Sequence, residues 1–367
     1  MRPLVISIKS KSKDRAVPYP KVREPTATGE FTQVPSISII IPTFNGARRI
    51  GNCLDALLEQ ARTREAEIVV VDDGSTDNVA EVVSRYSGVR LVSQANAGPA
   101  AARNRGVQEA RGEIVLFTDG DCVPTSGWLD AMPAPFRDPE IVGAMGVYRT
   151  GQKSLAARFV QIEYEDRYHL MEGLSSIDFV DTYSAAFRRD RFLELGGYDT
   201  SFPVACAEDA ELSYRMSARG WKMKFVPGAI VYHTHPDTLW LYLKRKYKFA
   251  FWRVLAVRKN PSKGIKDSHT PQVMKLQLLF LPALLFAFAL DLFEKPPLPL
   301  SVVVLLALLL STLPFALRAV KKDPIVGILS PLLLAVRSCF QLLGIASGLL
   351  YARSKRAEVQ PNYGTET

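Results

Sequence analysis

The chain has 367 residues and a formal net charge of +9, a length that allows about two domains of roughly 150 residues. The charge is local: residues 236–275 hold ten Lys or Arg against two Asp, a surplus of +8, which excludes a uniformly basic protein and points to one anionic contact surface. The four cysteines, Cys53, Cys122, Cys206 and Cys339, include no C-x-x-C pair, which excludes a disulfide framework or a zinc site and fits a reducing compartment.

Residues 1–35 are basic and mixed, and their only apolar piece, 4–8, is too short for a signal-peptide core. They read as a flexible arm, and the domain after them is expected to stay in the cytoplasm. From 36 to 117, apolar runs at 36–41, 67–71, 89–93 and 114–117 alternate with helical spacing at 47–60, 78–86 and 100–110. Strands alternating with helices predict a parallel sheet covered on both faces. Polar, Gly-rich turns come after the strand ends, the edge where open α/β sheets bind ligands. No G-x-G-x-x-G occurs after the first strand, which argues against a dinucleotide-binding enzyme.

Those turns carry chemistry. Asp73, in the run Asp72-Asp73-Gly74-Ser75-Thr76-Asp77, can accept from a base N–H or a ribose hydroxyl. The run also suits a capped helix start. Gly98-Pro99 opens a helix whose N-terminus favours anions, and Arg103 lies one turn inside it. The strand at 114–117 stops at Thr118, and Asp119-Gly120-Asp121 comes next. Two carboxylates at a strand end suit Mg²⁺ or Mn²⁺ holding a diphosphate; a solvated turn uses the same residues.

Further on, 178–187 reads as a strand and 189–195 as a short helix stopped by Gly196-Gly197. Glu208-Asp209 opens a helix over 210–218, as paired acids for catalysis or as dipole-favoured first-turn acids. The run 221–226 reads as a strand; His233 and His235 come after the apolar run 229–232, and His169 has no evident partner.

In order, IIIPTFNGARRIGNCLDALLEQ, IVVVDDGSTD, NAGPAAARNRG, FTDGDCVPTSGWL, FRRDRFLELGGYDTSF and AEDAELSYRMSARGWKMKFVP resemble the successive motifs of family 2 glycosyltransferases. The resemblance covers residues 36–235 and implies an α/β fold of GT-A type, a mixed, mostly parallel sheet flanked by helices. It also implies a nucleotide-sugar donor, a divalent metal (Mn²⁺ or Mg²⁺) and inversion at the anomeric carbon. Carried over by position, Pro42, Thr43, Asn45, Asp73, Arg103, Asn104 and Asp119 belong to the nucleotide side. Asp119 and Asp121 form the metal-binding D-x-D, joined by His233 rather than His235. Trp128, Gly197, Tyr198, Asp199 and Glu208 fall on the acceptor side, and Asp209 is the general base. Single displacement needs such a base to deprotonate the acceptor hydroxyl opposite the leaving diphosphate.

The block 236–275 interleaves aromatic and cationic residues at helical spacing, as in an amphipathic helix on anionic membrane lipids; a solvated face or a nucleic-acid patch are the alternatives. The rest of the chain selects the membrane: 276–293, 298–320 and 325–352 are long apolar stretches, with a tail at 353–367. The sequence KYKFAFWR lacks the Gln-x-x-Arg-Trp signature of processive relatives such as cellulose synthases, which argues against polymerisation. Basic residues before the first stretch and after the second place the catalytic part at the cytoplasmic face. Three simple spans would then put Arg353, Lys355 and Arg356 outside, so the third stretch is expected to be re-entrant or interfacial, broken near Pro331. Arg337 within it is expected to meet a lipid phosphate. The sequence thus predicts a membrane-anchored enzyme moving one sugar, from a UDP-linked donor, to a lipid-linked saccharide or glycolipid, with no nucleic-acid partner. The alternatives are a polyprenyl-phosphate sugar synthase and a non-catalytic sugar-nucleotide-binding subunit.

Overall fold

A computed structural model of the protein describes residues 36–202, 205–265 and 267–359; the expected arm at 1–35 and the end of the tail, 360–367, lie outside them. The first half is β1 (Ile37–Thr43), α1 (Ile50–Thr63), β2 (Glu67–Asp72), α2 (Val79–Ser84), β3 (Val89–Ser93), α3 (Pro99–Glu109) and β4 (Ile114–Phe117). β1 lies between β2 and β4 and is parallel to both, and β3 extends the sheet beyond β2. Ile39, Ile40, Ile41, Val69, Val70, Val115 and Leu116 are fully buried, as continuous apolar strands must be when helices cover both faces.

The second half adds β5 (Val123–Pro124), α4 (Trp128–Ala131), β6 (Ile141–Arg149), α5 (Leu155–Met171), β7 (Ala185–Arg188), α6 (Arg189–Glu194), α7 (Glu208–Ala218) and β8 (Lys222–Tyr232). The eight strands form one mixed sheet in the order β3-β2-β1-β4-β7-β6-β8-β5. Antiparallel β7 joins the halves, with Ala186 opposite both Leu116 and Ala144. Phe117, Phe187, Phe192 and Tyr198 cluster around this seam with centroids 5.1–6.1 Å apart, tilted contacts each worth ~0.5–1.5 kcal/mol beyond burial.

Two strand expectations change. The strand read over 178–187 is only β7; Thr182–Ser184 form a 3-10 turn, and the Val180 N–H donates to Ser213 Oγ on α7 instead of to a neighbouring strand. The runs 221–226 and 229–232 are one strand, β8, whose pairing with β6 shifts register between Met145 and Val147.

After β8 come α8 (Leu239–Lys259), α9 (Ser262–Ile265), α10 (Gln272–Glu294), α11 (Leu300–Lys322) and α12 (Pro324–Val359). The helices α10, α11 and α12 are long and apolar enough to cross a membrane. Asp291 turns α10 into α11 by accepting the Leu300 and Ser301 N–H groups at 2.7 and 2.8 Å, donors that a helix start leaves free. α12 runs on past Pro331 without a break, which corrects the expected interruption. It packs closely along α8. A Cβ on Gly344 would stand 2.4 Å from the Tyr247 carbonyl oxygen, and one on Gly348 2.6 Å from that of Phe251. Glycines four apart let two helix backbones touch. Further along, Arg258 donates to the Ala352 carbonyl, so the two helices run parallel.

Candidate active site

The turns after β1 and β2 are knotted to each other. Asn45, at φ +52°, accepts from the Thr76 N–H at 2.8 Å, while its own N–H donates to Ser75 Oγ at 2.8 Å; asparagine tolerates this left-handed conformation. The Asp73 N–H donates to the carbonyl of Thr43, next to Pro42 at the end of β1. The Asp73 carboxylate is buried and accepts from Gln94 Nε2, Ala97 N and Gly98 N at 2.7–2.9 Å. It therefore fastens the loop leading into α3 rather than standing free.

Asp119 and Asp121 sit just past the end of β4 with side chains 28% and 29% exposed. β8 ends beside them. His233 Nδ1 lies 3.6 Å from Asp121 Oδ1, its ring stacked on Tyr148 at 4.7 Å. Asp121, Cys122 and His233 offer ligand atoms within 4.8 Å of one another. Arg49 also reaches Asp121, at 3.3 Å. His235 is turned away: it is buried, bonded to Gln161 at 3.1 Å, and burial holds its imidazole down to about 3. His169 pairs at the surface with Glu172.

Arg103 joins the D-x-D to the acid pair. Buried on α3, it donates to Asp119 Oδ1 at 2.8 Å and to Glu208 Oε1 at 3.1 Å. It positions two carboxylates. Glu208 and Asp209 begin α7 directly after Ala207, which holds φ +72°, an uncommon conformation for a residue with a Cβ. Burial and the charge of Asp209 push the Glu208 carboxyl up to about 7. Burial also raises Asp209, against the pull of the Ala210 N–H and Arg103.

A residue that sequence reasoning missed faces Asp209. Asp181, at the start of the 3-10 turn, meets it side chain to side chain, and burial plus the charge of Asp209 lift its carboxyl well above the ordinary range. Two close carboxyls resist ionising together. Asp119, Glu208, Asp209 and Asp181 all border one cavity of about 460 Å³.

The residues carried to the acceptor side divide. Asn104 donates to the Tyr198 carbonyl and accepts its N–H, both at 2.8 Å, so its amide is spent on this loop and not on a nucleotide. Gly197 holds φ +74°, and a Cβ there would stand 2.4 Å from Asn104 Oδ1; only glycine fits. Arg215 closes the loop from the other side through the carbonyls of Leu195 and Gly197. Tyr198 is buried beneath Arg103. Trp128 is fully buried and donates to Ser184 Oγ at 2.9 Å. Both are core residues closed to an acceptor, which corrects their expected place. Asp199 pairs with Lys259 of α8.

Arg337 is also corrected. It is buried, donating to Glu163 Oε1 at 2.7 Å and to Gln277 Oε1 at 2.9 Å. Glu163 on α5 accepts from Tyr242 as well, and Lys246 lies 3.0 Å away. Burial alone would raise this carboxyl; Lys246 and Arg337 bring it down to about 2. Arg318 and Lys322 of α11 meet Asp166 and Glu165 of α5.

A sequence model of glycosyl transferase family 2 matches residues 38–196, and one of glycosyl transferase family group 2 matches 141–342. Glycosyltransferase AglE of Haloferax volcanii is 37% identical over 208 residues, 54% of this chain and 67% of that protein. YdaM of Bacillus subtilis is 26% identical over 285 residues, 73% of this chain. The chain spans 66% of YdaM and 45% of the pre-mycofactocin glycosyltransferase of Mycobacterium tuberculosis. The solved mannosyltransferase PcManGT of Pyrobaculum calidifontis, in complex with GDP-Man and Mn²⁺, shares the fold with a TM-score of 0.57 at 23% identity, over 87% of this chain and 88% of that one.

Proposed function

The chain belongs to the family 2 glycosyltransferases, and on that premise we propose that it moves one sugar, with inversion, from a nucleoside diphosphate donor of the UDP type to a lipid-linked saccharide or glycolipid at the cytoplasmic face of a membrane. The observation that carries this reading is Arg103, which ties Asp119 and Glu208 together and so holds Asp209 on the same cavity as the D-x-D. A sugar lying in that cavity has the diphosphate end at Asp119–Asp121 and the attacking hydroxyl at Asp209.

In this mechanism Asp209 takes the proton of the acceptor hydroxyl while that oxygen bonds to the anomeric carbon and the diphosphate leaves from the opposite face. Arg103 holds Asp119 and Glu208 in register. The carboxylate of Asp121 and the imidazole of His233 fit a divalent ion, and an oxygen–nitrogen donor set suits Mn²⁺ better than Mg²⁺. When bound, the ion supplies Lewis-acid stabilisation of the departing diphosphate.

Orientation is supported by the contacts of α5. Its acids receive Arg318 and Lys322, so the basic α11–α12 turn and the catalytic domain share one side, the cytoplasmic one under the positive-inside rule. α12, tied to α8 along its length, then lies at the interface, and Arg353 need not cross. Screening labelled sugar nucleotides with the full-length chain and membrane lipid extract, with and without a chelator, tests the reading. Chelator-sensitive transfer that Asp209→Asn abolishes is expected; transfer by Asp209→Asn at the wild-type rate overturns the assignment of the base.

A further inference from the structure

The cavity that begins at the acid pair does not end there. It continues beneath α8 to Leu278 of α10 and Ile345 and Leu349 of α12, so its far wall is apolar and belongs to helices able to lie in a membrane. Three guanidinium groups of its lining, those of Arg167, Arg245 and Arg258, have no carboxylate within ion-pair distance among the described residues, and Arg258 is spent on the Ala352 carbonyl. Arg245 of α8 lies 5.2 Å over the Phe249 ring. Arg167 of α5 lies 5.5 Å from the centre of the Tyr164 ring and bonds to His269 Nε2 at 3.1 Å. Other cations of this wall have carboxylate partners: Lys246 has Glu163, Arg253 has Asp267 and Lys263 has Asp178.

An inward cation without a counter-charge is costly, and a guanidinium fork matches phosphate oxygens. Burial favours the neutral form of His269, so this partner brings no charge to Arg167, which Glu163 and Asp181 attract only from beyond ion-pair distance. Burial holds the neighbouring Asp181 and Asp209 carboxyls above their ordinary range, which weakens the negative charge they set against these two cations.

On the reading of a membrane-located acceptor, we propose that the cavity binds the phosphate of an isoprenoid-type lipid phosphate or diphosphate between Arg167 and Arg245, with its hydrocarbon chain running toward α10 and α12. The phosphate sits on the membrane side of Asp209 and presents the acceptor to it. Donor diphosphate is the other source of the same chemistry, and the D-x-D with His233 already serves it.

The test uses the full-length chain in nanodiscs of neutral lipid, without sugar donor, and measures binding of a radiolabelled isoprenyl phosphate and of the isoprenyl alcohol of equal length. The wild type is expected to bind the phosphate at least about tenfold more tightly than the alcohol. Arg245→Gln and Arg167→Gln each remove most of that preference, Arg245→Lys keeps part of it, and binding of UDP and GDP with Mn²⁺ is unchanged in all three. Equal wild-type binding of phosphate and alcohol overturns the proposal with no variant needed. Loss of nucleotide binding in Arg245→Gln with lipid binding intact reassigns that arginine to the donor and overturns it too. Because no transfer is measured, these outcomes are separate from failure of the glycosyltransferase reading.

Discussion

The two walls of the cavity are held by different means. On the sheet side, Asn45, Asp73 and Asn104 saturate their polar atoms with backbone groups of adjoining turns. These bonds are many and neutral or singly charged. On the helix side, one carboxylate, Glu163, gathers Arg337, Lys246 and Tyr242 from α12 and α8. The first wall is redundant and tolerates loss of a single bond. The second gathers two cations and a phenol from α8 and α12 on one buried carboxylate, so its loss leaves both cations unpaired at once.

The comparison breaks most visibly at the metal. Asp121→Ala removes a half-exposed carboxylate assigned to the metal in the proposed mechanism. Transfer is expected to fall by about 10³-fold, a loss of several kcal/mol of transition-state stabilisation, with the melting temperature unchanged. A chelator should do the same to the wild type, and Mn²⁺ should reverse it. A variant that melts early instead would show that the turn needs this carboxylate to fold.

Glu163→Gln probes the other wall. It leaves Lys246 and Arg337 buried beside a neutral amide, and stability should fall by about 3–5 kcal/mol in detergent melts, while nucleotide binding at the temperature of the folded state persists. Acid should imitate it. With the folded carboxyl at about 2, below its ordinary value of 4.5, the unfolded chain binds the proton first as pH falls. The stabilisation is complete above pH 4.5 and is lost as pH drops from there toward 2. A melting temperature flat over that window in wild type, but not in Glu163→Gln, contradicts the assignment.

Asp181 lies where the walls meet, and its variants shift a pH profile rather than a melt. A protonated Asp181 donating to Asp209 keeps that carboxylate available at lower pH. Asp181→Ala removes the donor, so the acid limb of kcat/KM should move up by about one pH unit. Asp181→Asn keeps a permanent donor and should leave the limb near the wild-type position. Equal shifts in both would assign Asp181 to packing alone.

What could be read from residue order obeys the same division. The strand runs, the turns and Asp119-Gly120-Asp121 are local patterns, and the structure places them at one sheet edge. Arg103 was visible as a cation in a helix, but only its burial reveals that two carboxylates hold it. Arg337 was visible as a charge in an apolar stretch; its partner is 174 residues away on a helix without any motif. Asp181 was hidden because a β-like composition masked a 3-10 turn pinned from outside by Ser213. Trp128 and Tyr198 were placed on a substrate by analogy of position, whereas their volume fills the core.

The smallest effect is expected at Ala207, where the walls are joined by a single strained residue. Its φ of +72° puts a Cβ in the left-handed region at a cost of about 1–2 kcal/mol. Ala207→Gly removes that cost, and the freedom that glycine adds to the unfolded chain returns roughly half of it, so a gain of about 0.5–1 kcal/mol is expected in the melt. The strain also directs the start of α7, with Glu208 against Arg103 and Asp209 against Asp181. A glycine there permits other entries, and kcat should fall a few-fold while KM for the donor stays fixed, because the donor's anchors lie on the sheet wall. A stabilised variant with undiminished kcat would separate the strain from the placement of the base and leave the Arg103 bridge alone to hold it.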